Sequence, residues 1–217
     1  MIVNNIGAGN SAINRFMAQL RDVHVQGNRA AFRNNLERIG RAMAYEVSKT
    51  LRYTEKSVTT PLGQSQVSTY DDHMVIGTVL RAGLSFHQGF VDVFDEADCA
   101  FVAAYREEGS AETLKIRLNY MASPQLDGST FLLVDPMLAT GSSLEAAYHA
   151  FKRNGTPATL HICVVIASKA GIDYLQQIFP DNDVTLWTAA IDPHLNEAAY
   201  IVPGLGDAGD LSFGEKL

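Results

Sequence analysis

The fold of this 217-residue chain is decided by the stretch Phe131-Leu132-Leu133-Val134-Asp135-Pro136-Met137-Leu138-Ala139-Thr140-Gly141-Ser142-Ser143. Its apolar run predicts a strand that is buried on both faces, as in a parallel sheet, and that ends at Asp135. The small residues that follow predict a turn. Ser142, with Glu145 three residues later, predicts a capping box at the start of a helix. The stretch therefore predicts a strand–turn–helix unit with a carboxylate at the end of the strand.

The residues around this unit repeat its pattern. Short apolar runs rich in β-branched and aromatic residues predict further strands at 74–80, 99–105, 160–167 and 183–189. Helices are predicted between them at Gly83–Phe94, Ser143–Arg153 and Gly171–Phe179. Alternating strands and helices predict an α/β fold with an open, doubly wound, mostly parallel sheet flanked by helices. Ligands of such sheets bind at the carboxyl ends of the strands.

The remaining segments are expected to attach to this 74–189 core within a single domain spanning 1–217. Apolar residues at helical spacing predict N-terminal helices within 1–52. The polar segment 107–128 has poor periodicity and predicts a hairpin or a lid. Glycine and proline punctuate 190–217, which we expect to form a loop-rich hood over the sheet.

Composition narrows the class of protein. Seventeen Lys and Arg residues against 24 Asp and Glu residues give a net charge of −7, which disfavours nucleic acid as a partner. No apolar run approaches the roughly 20 residues of a membrane span, and the first residues do not resemble a signal peptide. Cys99 and Cys163 lie in apolar runs and are expected to be reduced core residues. We therefore expect a cytoplasmic protein, not bound to a membrane, that acts on a small molecule.

Two glycine-rich stretches fit loose dinucleotide-binding patterns. The stretch 7–12 follows only Met1-Ile2-Val3, which is shorter than a full strand. The stretch 204–209 leaves eight residues after it, too few for the helix and strand that such a site requires. We therefore expect neither stretch to bind a dinucleotide.

The turn after Asp135 has the chemistry of an anion cradle. Backbone N–H groups from Ala139 to Ser143 would lie at the positive end of a helix dipole, with the hydroxyl groups of Thr140, Ser142 and Ser143 nearby. A phosphate monoester suits this turn. The Asp135 carboxylate would repel the same phosphate and suits neutral hydroxyl groups, as on a ribose. An ordinary strand–turn–helix with a capping serine and a solvated aspartate stays open as the alternative.

The segment Val134–Ser143 resembles the 5-phosphoribosyl-1-pyrophosphate (PRPP) signature of type I phosphoribosyltransferases. Its form V-D-P-M-L-A-T-G is similar to that of uracil phosphoribosyltransferases, with Pro136 where most of the superfamily has an acidic residue. Further blocks match that family in order along nearly the whole chain: Leu20–Asp22, Ala44–Glu46, Leu80–Gly83, Tyr105–Arg106, Ile191–Asp192, Leu195–Glu197 and Tyr200–Asp210.

This resemblance implies phosphoribosyl transfer from PRPP to N1 of uracil, with Mg²⁺ as the cofactor and UMP and pyrophosphate as the products. It assigns catalytic roles to Arg81, Arg106, Asp135 and Asp207. The implied PRPP-binding residues are Arg81, Arg106, Asp135, Pro136, Met137, Leu138, Ala139, Thr140, Gly141, Ser142, Ser143 and Asp207. The implied uracil-binding residues are Ile201, Gly206, Asp207 and Ala208.

The resemblance carries further expectations. Asp207 would reach a magnesium ion held mostly by PRPP, and the Leu80–Ala82 turn would contain a cis peptide. A homodimer or higher homo-oligomer is implied. GTP activates some members of the family and is therefore a candidate effector.

The chain departs from the family pattern at Gly141-Ser142-Ser143, at Glu107–Glu112 and at Asn196–Ala199. A sensor of PRPP or UMP without turnover, and a transferase for another nucleobase, stay open as alternatives.

Overall fold

The computed structural model describes residues 1–106, 116–180 and 184–216, excluding the side chains of 104–106 and 116–119. The strands are β1 (Ile2–Asn5), β2 (Tyr53–Thr60), β3 (Gly63–Tyr70), β4 (Met74–Leu80), β5 (Asp98–Arg106), β6 (Ile116–Ala122), β7 (Thr130–Leu138), β8 (Thr159–Ser168), β9 (Val184–Asp192), β10 (His194–Leu195) and β11 (Ile201–Val202). The α-helices are α1 (Ala12–Arg21), α2 (Arg29–Ser48), α3 (Leu84–Val91), α4 (Ser142–Phe151), α5 (Lys169–Ile178) and α6 (Ala208–Phe213). A 3-10 turn, Lys152–Asn154, follows α4.

Seven of these strands form one sheet in the order β1-β9-β8-β7-β4-β5-β6. Neighbouring strands are parallel except β6, which is antiparallel to β5. The strand order reverses between β4 and β7, because β5 follows on one side and β8 and β9 on the other. Ligands of open α/β sheets bind at such a reversal, beyond the carboxyl ends of the strands. The predicted fold class is confirmed.

Helices cover both faces of the sheet, which accounts for the continuous apolar runs. Alternate strand residues, such as Ile76 and Val134, pack with α1, α2 and α3 in one buried cluster. The residues between them, such as Val75 and Leu133, pack with α4 and α5 in a second cluster. Every position of a central strand therefore faces a helix layer, so hydrophobic residues are favoured at successive positions.

The N-terminal part of the chain contains a strand in addition to the predicted helices. The helices α1 and α2 are present, but Ile2–Asn5 form β1, which pairs in parallel with β9. The glycine stretch 7–12 therefore does follow a strand, although one of four residues. Gly7 is needed because a Cβ there would lie 1.9 Å from the carbonyl oxygen of Ala189. This glycine serves close backbone packing against β9.

The hairpin of β2 and β3 was not predicted. Its two eight-residue strands pair from Tyr53 with Tyr70 to Thr60 with Gly63. Nearly all of its residues are exposed, so the strands carry polar residues where a buried strand would carry apolar ones. The runs of Thr, Val and Tyr around Pro61-Leu62 are the signal that sequence reasoning could have used.

The segment 107–128 is described only in part. Its residues 107–115, on which the lid prediction mainly rests, lie outside the described residues. Residues Ile116–Ala122 form β6 and pair with β5 as one arm of a hairpin.

In the described parts of the chain, no helix is both long enough and apolar enough to cross a membrane.

Candidate active site

A cleft of about 670 Å³ lies at the carboxyl ends of β4 and β7, where the strand order reverses. Three parts of the chain form its wall: residues 79–82 after β4, residues 135, 137–141, 143 and 144 around the end of β7, and the hood residues 198–200 and 206–209. Lys216 completes the wall. The sequence stretch that decides the fold and the glycine-rich loop of the hood therefore face the same space.

The turn between β7 and α4 is built around Gly141. This residue has a φ of 90°, in the left-handed region that glycine adopts without strain. A Cβ at this position would lie 2.7 Å from Cδ1 of Tyr174 on α5. The Ser168 hydroxyl donates a hydrogen bond of 2.5 Å to the carbonyl oxygen of Ala139. Contacts from the end of β8 and from α5 therefore hold the turn in place.

The start of α4 has no side-chain cap, so the predicted Ser142 capping box is wrong. The helix begins at Ser142 itself, with Gly141 as the N-cap residue. The Ser142 hydroxyl is instead 3.0 Å from the Thr140 hydroxyl, and Glu145 accepts a 2.6 Å hydrogen bond from the Tyr174 hydroxyl. The first N–H groups of α4 consequently lack both an intrahelical acceptor and a side-chain cap. Such an arrangement favours an anion.

Asp135 lies in the wall of the cleft within β7, which continues to Leu138 instead of ending at Asp135 as predicted. Its Oδ1 accepts a 3.0 Å hydrogen bond from the N–H of Met137. Burial raises the pKa of Asp135 to about 7, although the Met137 hydrogen bond acts in the opposite direction. A carboxyl group with this pKa changes charge near neutral pH, which is typical of a functional site.

The turn after β4 brings Arg81 to the cleft. The peptide bond between Leu80 and Arg81 is cis, as the resemblance implies. The Nη2 of Arg81 lies 3.3 Å from Oδ1 of Asp210 and 3.2 Å from the carbonyl oxygen of Gly214. Its side chain is 40% exposed, so the guanidinium group is accessible from the cleft.

Arg106 is the last residue of β5, which runs parallel to β4. Its backbone thus lies toward the same carboxyl edge of the sheet as Arg81. The Arg106 side chain is outside the described residues, so its role in binding stays a prediction.

The hood contributes its glycine-rich loop to the cleft wall. Asp207 is the N-cap residue of α6 and its Oδ1 accepts a 2.9 Å hydrogen bond from the N–H of Asp210. Gly206 has a φ of 88° and lines the cleft together with Asp207 and Ala208. Ala208 is the first residue of α6, so its N–H has no intrahelical acceptor.

Three predicted residues do not line the cleft. Pro136 is buried within β7, and the Ser142 hydroxyl is next to Thr140. Ile201 is only 4% exposed and belongs to the hydrophobic core, whereas its neighbour Tyr200 lines the cleft. The other predicted residues with described side chains do line it: Arg81, Asp135, Met137, Leu138, Ala139, Thr140, Gly141, Ser143, Gly206, Asp207 and Ala208.

The hood is held in place by an ion pair that sequence reasoning did not connect with it. The two guanidinium nitrogens of Arg21 each lie 2.7 Å from one carboxylate oxygen of Asp192, and Nη1 also donates to the carbonyl oxygen of Gly204. The N–H of Gly204 donates to Asp192 at 2.7 Å. Burial acts to raise the pKa of Asp192, but the hydrogen bonds from Arg21 and Gly204 and the charge of Arg21 lower it overall.

Sequence reasoning also missed cleft residues contributed by the hood and tail. Ala198 and Ala199 line the cleft from the segment where the chain departs from the family pattern, and Ala199 has a φ of 60°. Tyr200, the first residue of the block that matches the family, lines it as well. Asn196 Oδ1 holds this loop by accepting from the N–H groups of Ala198 and Tyr200. Lys216 adds a positive charge to the wall. A tail lysine has no motif around it that marks it as a site residue.

Comparison with known sequences identifies relatives over the whole chain. A family model described as uracil phosphoribosyltransferase matches residues 8–215. The uracil phosphoribosyltransferase of Porphyromonas gingivalis is 49% identical over 217 residues, covering 100% of both chains. That of Pyrococcus furiosus is 38% identical over 208 residues, covering 94% of this chain and 87% of the relative.

Solved structures have the same fold. A protein from Aquifex aeolicus superposes with a TM-score of 0.87 and 29% identity, covering 98% of each chain. A hypoxanthine phosphoribosyltransferase from Staphylococcus aureus superposes with a TM-score of 0.50 and 11% identity, covering 75% of this chain and 76% of that chain. The latter likeness is one of fold alone.

Proposed function

The chain belongs to the uracil phosphoribosyltransferase family, and from that premise we propose how its cleft transfers a phosphoribosyl group to uracil. The protein converts uracil and PRPP into UMP and pyrophosphate, a reaction of pyrimidine salvage. One observation carries the proposal: the uncapped start of α4 and the glycine-rich loop of the hood line one cleft. One nucleotide can therefore span both surfaces, with its phosphate on one and its base on the other.

The 5′-phosphate occupies the turn from Ala139 to Ser143. The free N–H groups at the start of α4 point toward an anion there, and the helix dipole adds to the attraction. The Thr140 and Ser143 side chains belong to residues in the cleft wall and supply hydroxyl donors. Because Gly141 keeps the turn in a left-handed conformation, the backbone approaches the phosphate closely.

Asp135 binds the ribose hydroxyl groups. It follows the buried part of β7, one turn before the phosphate site, and its carboxylate accepts hydrogen bonds when ionised. The Met137 N–H orients one of its oxygens. Hydroxyl donors stabilise the ionised carboxylate, so ribose binding should lower the pKa of Asp135 from its value of about 7 in the free protein.

The leaving pyrophosphate lies toward Arg81, Arg106 and Lys216. Departure of this highly charged group breaks the bond between C1 of the ribose and the pyrophosphate oxygen and leaves an oxocarbenium-like ribosyl centre. N1 of uracil attacks this centre and releases its proton to solvent. Guanidinium groups donate paired hydrogen bonds to phosphate oxygens and stabilise the charge that develops there. The reaction needs no covalent bond to the protein, because these cations and the alignment of the two substrates supply the catalysis.

A magnesium ion suits this cleft as part of the substrate complex. The described residues contain no group of three or more His, Cys, Asp or Glu side chains that would form a metal cage by themselves. Asp135 and Asp207 nevertheless both line the cleft, and Mg²⁺ commonly binds one or two carboxylates together with substrate phosphates. When bound, the ion would neutralise charge on the pyrophosphate, with Asp207 as its candidate ligand.

Uracil binds to main-chain groups of the hood. Its edge presents the O2 acceptor, the N3–H donor and the O4 acceptor, which a peptide chain complements with N–H, C=O and N–H groups. Gly206 and Ala208 belong to the cleft wall and would offer such groups. The Ile201 side chain lies in the core, so its predicted role is confined to the main chain of β11. Cytosine reverses the pattern at position 4 and would leave buried polar groups unpaired.

Base specificity tests the proposal most directly. The purified protein is incubated with PRPP, Mg²⁺ and, in separate reactions, uracil, orotate, cytosine, hypoxanthine or adenine. We expect UMP from uracil and no nucleotide from the other bases. Nucleotide from a different base, or from none, would contradict the proposal.

The assembly and the effector are proposed from the resemblance. We propose a homodimer or higher homo-oligomer, which light scattering of the purified protein measures. We propose GTP as an effector, for which added GTP should raise the rate of UMP formation. We also propose a cytoplasmic location, which was predicted from the composition and from the expectation of reduced cysteines.

A further inference from the structure

Arg81 contacts the C-terminal helix α6, although the two lie far apart in the sequence. Its Nη2 lies 3.3 Å from Oδ1 of Asp210 on α6 and 3.2 Å from the carbonyl oxygen of Gly214, just after α6. The backbone N–H of Asp210 in turn donates to Oδ1 of Asp207, the N-cap residue of the same helix. Asp210 therefore joins the arginine of the β4 turn to the first turn of the hood helix.

We propose that Asp210 is a positioning residue that holds Arg81 at the pyrophosphate side of the cleft. Asp210 itself is not among the residues that line the cleft. The inference rests on the proposed function, which assigns Arg81 to the leaving group.

A long side chain such as that of Arg81 samples many rotamers unless acceptors restrict it. The side chains of Arg81 and Asp210 are 40% and 32% exposed, so their attraction is partly screened by water. A contact of this strength orients the guanidinium group, yet phosphate oxygens can replace it when PRPP binds. Asp210 therefore keeps Arg81 near its working position without competing strongly with the substrate.

The helix that carries Asp210 is itself anchored. Nη1 of Arg33 on α2 donates a 2.7 Å hydrogen bond to the carbonyl oxygen of Ser212, and Ser212 is fully buried. Because Asp207 begins this helix and lines the cleft, the base loop and the Arg81 contact share one short, fixed element. Asp210 therefore holds Arg81 from an anchored position in the fold.

Steady-state kinetics of Asp210→Ala and Asp210→Asn test the proposal. We expect Asp210→Ala to raise the KM for PRPP about five- to tenfold and to change the KM for uracil less than twofold. Asp210→Asn keeps an acceptor oxygen and should therefore raise the KM for PRPP only about two- to threefold. Glu215→Ala, which removes an exposed carboxylate of the same tail, is the matched control and should leave both KM values unchanged.

A double-mutant cycle with Arg81→Ala decides whether Asp210 acts through Arg81. In the Arg81→Ala protein, Asp210→Ala should have no further effect on the KM for PRPP. Equal effects in both backgrounds, or an equal rise in both KM values, would show that Asp210 only stabilises α6 and would overturn the inference. If Arg81→Ala alone leaves the KM for PRPP unchanged, the result contradicts the role that the proposed function gives to Arg81, whatever Asp210 does.

Discussion

The two ends of the proposed nucleotide site are built in opposite ways. The phosphate end is one continuous stretch, from Asp135 to Ser143, in which strand, turn and helix follow directly. The hood is assembled from distant parts, since Arg21 on α1 holds Asp192 at the end of β9 and the carbonyl of Gly204. A continuous site is formed mainly by local geometry, whereas an assembled one depends on contacts across the whole chain. Substitutions at each end should therefore fail in different ways.

Removal of Arg21 should damage the hood most. In Arg21→Ala the carboxylate of Asp192, whose side chain is 6% exposed, loses its partner, and we expect a loss of about 2–3 kcal/mol in the free energy of unfolding. The KM for uracil should rise about tenfold while the KM for PRPP changes little. Denaturant unfolding and steady-state kinetics measure these quantities.

A surface ion pair provides the control for Arg21. Arg41 pairs with Asp92 and Glu37, and Arg41→Ala should cost less than about 1 kcal/mol.

The pH dependence of stability gives a second check on the pair of Arg21 and Asp192. Because the pKa of Asp192 is lowered in the folded state, its pair stabilises the protein above the ordinary carboxyl range and weakens as the pH falls through the lowered pKa. The difference between wild type and Arg21→Ala should shrink at low pH, and a constant difference would contradict this account.

Asp135→Asn should break the phosphate end without unfolding it. We expect kcat/KM for PRPP to fall about a hundredfold, because the ribose loses its anchor. In the wild type, kcat/KM should rise with pH through about 7 as Asp135 ionises, and this rise should be absent in the variant. Asp173→Asn, on the exposed side of α5, is a matched control that should keep the wild-type profile.

The same variant should be more stable than the wild type at high pH. The pKa of Asp135 is about 7 in the folded protein and about 4 in an unfolded chain, so the wild type loses stability between these values as the pH rises. Asparagine does not titrate and avoids that loss. Without substrate, the melting temperature of Asp135→Asn should rise increasingly above that of the wild type from about pH 4 to about pH 7. Above about pH 7 the difference should stay constant.

Gly141→Ala should disturb the phosphate end alone. Alanine would be strained at a φ of 90° and its Cβ would lie 2.7 Å from Tyr174, so we expect a loss of about 2 kcal/mol and a higher KM for PRPP. Gly128 has a φ of 73° with no atom near the position of a Cβ. Gly128→Ala should therefore lower the free energy of unfolding only by the backbone strain of alanine at a positive φ, about 1 kcal/mol, and leave both KM values unchanged. Equal losses in the two variants would argue against a role for Tyr174 in shaping the turn.

Ala199→Gly should give the smallest effect, and a favourable one. Ala199 has a φ of 60° in the hood loop, where glycine is unstrained, so we expect a gain of about 0.5 kcal/mol in the free energy of unfolding. Ala198→Gly, in the same loop, should instead destabilise the protein by a similar amount. A gain in both variants would mean that the backbone conformation of Ala199 is not the cause.

Much of the fold was predictable because its signals are local. The strands β4, β5, β7, β8 and β9 appear as apolar runs, since burial on both faces demands apolar residues at successive positions. The exposed β2–β3 hairpin lacks such a run and was missed. The Ser142 cap was predicted wrongly because a capping box and a free helix start share the same residues. Only the position of the Thr140 hydroxyl and of Tyr174 distinguishes them.

By itself, the sequence determined the layered parallel sheet, the residues of the phosphate turn and the family, because these depend on short-range patterns of burial and backbone conformation. Only the tertiary structure decided that Arg21 supports the hood, that Asp210 contacts Arg81 and that Lys216 reaches the cleft. Those contacts join segments that lie on different layers of the fold. An ion pair between distant residues leaves no periodic pattern in the sequence, so its partners become visible only when the sheet has brought them together.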